Sequence, residues 1–112
     1  MEDSILTSVK LMLGIVAEST DFDSQLILHI NSVFMTLHQL GVGPEEGFRI
    51  ENDSANWSDY ITEEDNLDAV KTYMNLKVKL LFDPPLGAAV LDATMKLVNE
   101  LEWRLNVQAE TK

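Results

Sequence analysis

The run Leu76-Lys77-Val78-Lys79-Leu80-Leu81-Phe82 is followed at once by Asp83-Pro84-Pro85, so one apolar segment must stop there and another begin. Proline disfavours helical geometry in the residue before it and is tolerated in the first turn of a helix. The junction predicts a helix ending at Phe82, with Asp83 as the cap and Pro84 as the first residue of the next. Two such helices fold back on one another as a hairpin.

Upstream, Ile5, Val9 and Met12 fall on one helical face, with Leu6 and Leu13 beside them, and Gly14-Ile15 supplies a C-terminal cap. Thr20 with Asp23 has the spacing of a capping box and opens a second helix that stops at Gly41. On it Leu26, Ile30, Val33, Leu37 and Leu40 form the core stripe, flanked by Ile27 and Phe34, while Leu28 and Met35 point to the opposite side. Thr62 with Asp65 repeats the capping-box spacing before a third helix. That helix has one stripe of Leu67, Val70, Met74, Val78 and Leu81 and a second of Ala69, Tyr73, Leu76 and Leu80, so it is either central in the monomer or shared with a neighbour. The last helix carries Val90, Leu91, Thr94, Leu97, Val98, Leu101 and Leu105, supported by Asp92 with Lys96 and Glu100 with Arg104 four apart. From Val107 the stripe is lost and the end is expected to fray.

The expected fold is mainly α, a four-helix antiparallel-type bundle in one domain over 1–112, with helices near 4–13, 21–40, 63–82 and 84–106. The stretch 41–62 loses helical periodicity and collects Gly, Pro, Asn, Asp and Ser. It reads as a long central loop, where the alternation in Phe48-Arg49-Ile50 and in Trp57 to Ile61 suggests a short β-hairpin. Loops of this length in a small domain are usually functional or mobile.

At 46% hydrophobic, 112 residues are enough to bury a core without staples, and the lack of cysteine excludes a disulfide scaffold or a thiolate metal site. No apolar run approaches the roughly 18 residues of a membrane span, and Met1-Glu2-Asp3 is acidic where a signal peptide would be basic. Nineteen acids against eight bases give a net charge of -11, which repels nucleic-acid phosphates and anionic membranes.

No Gly-x-Ser-x-Gly elbow, P-loop or dinucleotide fingerprint occurs, so no enzyme activity, cofactor or metal is expected. Asn52, Ser54, Asn56 and Glu63 sit in an EF-hand register, but Trp57 occupies the position that requires glycine. His29 and His38 are nine apart on one helix, on opposite faces, and cannot share a metal. Trp103 shares a polar helical face with Asp92, Lys96 and Asn99, where it either anchors a subunit contact or covers a loop of its own chain. Leu28, Met35, Tyr73, Leu76 and Leu80 add apolar surface beyond one core, which favours assembly. In the acidic excursion Arg49 is the only base, and Glu45, Glu46, Glu51 and Asp53 either keep the chain soluble or face a DNA passage whose wall must not bind phosphate.

Across most of its length the chain resembles the small head-tail connectors of tailed, siphovirus-type phages. The resemblance is carried by His29-Ile30-Asn31-Ser32-Val33-Phe34-Met35, the Gly41-Val42-Gly43-Pro44 turn, Leu81-Phe82-Asp83-Pro84-Pro85 and Leu101-Glu102-Trp103-Arg104-Leu105. It implies a structural adaptor that forms a homo-oligomeric ring of about a dozen subunits. Such a ring sits under the portal protein, extends a channel through which DNA passes without specific binding, and docks a tail protein or a further connector. The chain would then reside in the virion at the head-tail interface, and in the host cytoplasm during assembly. The competing reading from the residues is an acidic protein-binding module or DNA mimic that occupies a basic groove.

Overall fold

The computed structural model describes residues 4–61 and 64–110, with residues 64–66 described as backbone only. The chain runs α1 (Ile5–Met12), α2 (Asp23–Gln39), the short α3 (Trp57–Tyr60), α4 (Glu64–Phe82) and α5 (Ala88–Glu110). It is mainly helical, as the periodicities require. The molecule is flat, 40 × 36 × 20 Å, with α4 packed against α1, α2 and α5. The two apolar stripes of α4 therefore serve a central position, and Val70, Tyr73, Met74 and Val78 are all buried.

α1 and α2 end as their glycines predict. The Ile15 N–H bonds Lys10 O at 2.9 Å and the Val42 N–H bonds Leu37 O at 2.9 Å, each reaching back past a glycine at positive φ. Gly43, two residues on, has φ 91° and lies against Tyr60, whose ring atoms sit 2.7 to 2.9 Å from where a Cβ would be.

Other boundaries differ from expectation. Thr20 does not cap α2, which starts at Asp23, because the Asp23 carboxylate turns to Lys10 at 2.9 Å instead of closing a capping box. Asp83 does not cap α5. Its N–H completes α4 by bonding Lys79 O at 2.8 Å, and α5 opens at Ala88, with Gly87 O accepting from Leu91 N. Pro84 cannot be the first helical residue because Pro85 bars it from helical geometry, so the turn takes five residues, 83–87. Thr62 and Glu63 lie outside the described residues, as do 111–112, so the expected cap at Thr62 and the last two residues of the tail go undescribed. Residues 107–110 do not fray but continue α5. The Asn106 side-chain amide donates to Leu40 O at 3.1 Å and Ala109 lies against Gly41, three residues apart on one helical face.

The expected β-hairpin is absent among the described residues. Phe48-Arg49-Ile50 has no regular secondary structure, and its partner is a side chain: Asn31 accepts from Ile50 N at 2.8 Å and donates to Ile50 O at 2.9 Å. Trp57–Tyr60 is one helical turn, started by the Asp59 carboxylate accepting from Asn56 N at 2.9 Å. Trp57 and Tyr60, three apart, thereby share a face and join Phe34 and Phe48 in an aromatic cluster with centroids 4.7 to 6.5 Å apart. Nor is the excursion loosely tethered. The Trp57 indole donates to Ser8 Oγ at 3.0 Å, Ser4 Oγ donates to Asp53 O at 2.8 Å, and Ile5 N donates to Ala55 O at 3.0 Å. These bonds make the excursion a lid on α1 and α2.

Candidate functional site

Surface chemistry separates the helices. Between Ser24 and Gln39, α2 has no Asp, Glu, Lys or Arg, although the chain carries a net charge of -11. On its outer face Leu28 is 69% exposed and Met35 62%. Like-charged copies approach most easily through such neutral surface.

α5 is the second apolar surface. Its C-terminal half is locked onto α4: Val98 and Leu105 are buried, and Glu102 accepts from Tyr73 Oη at 2.6 Å with Lys77 Nζ at 3.7 Å. Burial, and after it the hydrogen bond and charge of Glu102, pushes the Tyr73 phenol well above its ordinary value of 10.0. The N-terminal half has little against it. Val90, Met95 and Leu97 are exposed, as are Leu86 in the turn before α5 and Leu81 near the end of α4. Val90 and Leu97 belonged to the expected core stripe; the structure leaves that stripe unfilled ahead of Val98.

The six residues expected at a subunit contact therefore divide. Leu28, Met35 and Trp103, the last 67% exposed, offer side chains to solvent. Leu76 and Leu80 are partly buried against the core. Tyr73 corrects the expectation, since at 0% exposure it has no surface to offer; its stripe is consumed by α5. Trp103 does not cover a loop through ring contacts or hydrogen bonds among the described residues, because the inward face of α5 passes through Leu101, Leu105 and Ala109. Glu45, Glu46, Glu51 and Asp53 are all exposed along the excursion.

A groove of about 350 Å³ separates α2 from the excursion. Phe34, Met35 and Phe48 supply its apolar wall, with His38, Glu46 and Arg49 among its polar lining. The His38 imidazole is held by Glu45 O at 2.8 Å. Among the described residues no group of three His, Cys, Asp or Glu could hold a metal ion. Asn52 and Ser54, of the calcium register, bond one another.

One residue that sequence reasoning passed over organises the N-terminal end. Lys10 is only 3% exposed, and its ammonium group reaches Ala17 O at 2.9 Å, Ser19 O at 2.5 Å and the Asp23 carboxylate at 2.9 Å. Its signal was a lysine next to Val9 on the apolar face of α1.

Over residues 5–112 the sequence matches the family described as Phage connector protein. The chain belongs to that family. It is a structural phage protein of the head-tail connector type, a virion component whose partners are in head and tail assembly. Searches of curated proteins and of solved structures returned no match. No helix among the described residues is long and apolar enough to cross a membrane.

Proposed function

We propose that the chain assembles as a homo-oligomeric ring beneath the portal protein, extends the DNA channel and docks a tail protein or further connector on its far side. The observation that carries this reading is the apolar surface left open on the monomer at Leu28, Met35 and Trp103, together with the bare half of α5. Exposed apolar side chains on two outer helix faces mark interaction surface rather than solvated flank. Leu76 and Leu80 contribute from beneath, at the seam between core and contact. Glu45, Glu46, Glu51 and Asp53 are the channel-facing candidates, since a carboxylate wall repels passing phosphates and releases no counterions on contact.

The chain needs no catalytic group for this role. Its work is mechanical, to present complementary surfaces in a fixed order. An acidic DNA mimic would expose carboxylate rows and little else, whereas here the outer face of α2 is neutral.

The test is electron microscopy of the purified chain alone and mixed with the portal protein of its phage. Closed rings, free or seated on the portal, are expected. A chain that stays monomeric and never co-sediments with the portal overturns the reading. Salt-sensitive capture by a DNA-binding protein instead would favour the mimic.

A further inference from the structure

Arg49 stands apart from the other described cations. Lys10, Lys77, Lys79, Lys96 and Arg104 each pair with a carboxylate, and Lys71 lies over the Trp57 ring at 5.9 Å. Arg49 has neither kind of partner among the described residues, on a chain with nineteen acids, and it lines the groove of about 350 Å³ walled by Phe34, Met35 and Phe48. The site is thus an apolar slot with an unpaired guanidinium at its edge, and with His38 and the Glu46 carboxylate also on its lining.

The opposite pattern lies on α5. Trp103, Val107 and Glu110 are spaced i, i+4 and i+7, so they share one helical face over about 10 Å. All three are exposed, and Glu110 has no ion-pair partner among the described residues. An indole and an isopropyl group followed by a carboxylate complement an apolar slot rimmed by a guanidinium. The groove is at the small end of the range that holds compact ligands, a fit for one aromatic side chain and its neighbour. No residue of α5 lines the groove, and Trp103 lies about 160° around the helix from Leu105, on the side turned away from the core. A chain cannot fill its own slot with its own strip.

We infer that the occupant is a second copy of this chain: Trp103 and Val107 of one subunit enter the groove between α2 and the excursion of the next, and Glu110 meets Arg49. Slot and strip are different surfaces, so the contact is heterologous and leaves one of each free at every step. Repetition gives a ring where the rotation between copies closes and an open filament where it does not, so this inference rests on the ring assembly proposed above. Glu46, on the groove lining, is then covered by the joint rather than facing the channel, and supplies an acceptor for the indole N–H, which has none among the described residues.

The test is charge exchange in the full chain, with rings counted by electron microscopy and sedimentation at fixed protein concentration, in the presence of the portal. Arg49→Glu and Glu110→Arg should each weaken association by about fivefold per contact, while the double variant Arg49→Glu/Glu110→Arg should recover wild-type assembly. Because the chain has no cysteine, Met35→Cys mixed with Val107→Cys should give a disulfide-linked pair in assembled rings, without background. Rings that form normally in both single variants, or a double variant no better than either, overturn the contact and leave the ring reading intact. Wild-type chain that forms no ring overturns both. Rings that cross-link through Val90→Cys rather than Val107→Cys overturn the contact and place the joint on the other half of α5.

Discussion

The excursion after α2 and the first half of α5 invert what their secondary structure suggests. The excursion has one turn of helix and is otherwise irregular, yet Ile50, Trp57 and Tyr60 are buried in the core. The first half of α5 is regular helix, yet Val90, Met95 and Leu97 lie open. Regular backbone satisfies its own hydrogen bonds wherever it lies, so a helix can stand clear of a core. Irregular backbone needs partners supplied from elsewhere, and here Asn31, Ser4 and Asp59 supply them. Order in the first region comes from packing; in the second it is left available for contact.

Substitutions can break this contrast. Trp57→Ala removes a fully buried indole from the aromatic cluster together with its bond to Ser8, and should cost about 4 kcal/mol of unfolding free energy in urea titration. Gly43→Ala sets a methyl group against the Tyr60 ring at a positive φ, and about 3 kcal/mol is expected by the same measurement. Lys10→Met leaves Asp23 and two carbonyls without their cation. A loss of about 2 kcal/mol should follow, smaller than for a fully buried pair because Asp23 is partly in water.

Alkaline pH sharpens the same point. Burial raises the phenols of Tyr60 and Tyr73 above 10.0, so the folded chain keeps protons that the unfolded chain gives up. The stability is complete below the unfolded value and is lost as pH rises past it, by about 1 kcal/mol per phenol at about pH 11. Melting temperature followed from neutral to alkaline pH should show the decline, and Tyr73→Phe should flatten part of it. The smallest effect belongs to α5: Val90→Ser should change monomer stability by less than about 0.5 kcal/mol. If Val90→Ser destabilised the isolated chain as much as Lys10→Met does, the contrast between the regions would fail.

How much of this could be read from sequence follows the same division. Helices with one clear stripe were legible: Leu26, Ile30, Val33 and Leu37 are buried and Leu28 and Met35 exposed, as the periodicity of α2 requires. The glycine caps after α1 and α2 were legible because a single residue type meets the backbone demand. Side-chain to backbone bonds at long sequence separation were not, so Asn31 and Lys10 went unnoticed and Phe48 to Tyr60 was read as a hairpin. Tyr73 shows the limit of periodicity. Its stripe on α4 was visible, but whether a stripe faces α5 or a neighbour depends on tertiary placement. For the surface candidates, Trp103, Glu45, Glu46, Glu51 and Asp53 stood out by type, whereas the groove lined by Arg49 brings together residues from two segments that no linear pattern connects.

Phe34 belongs to two structures at once. Its ring packs with Phe48 and Tyr60 inside the lid, and the same ring walls the groove that we propose a neighbour fills. Occupation of that groove must therefore be felt by the monomer as added rigidity, since whatever binds only the folded form stabilises it by mass action. Each subunit held in such a joint would resist heat better than the same subunit alone.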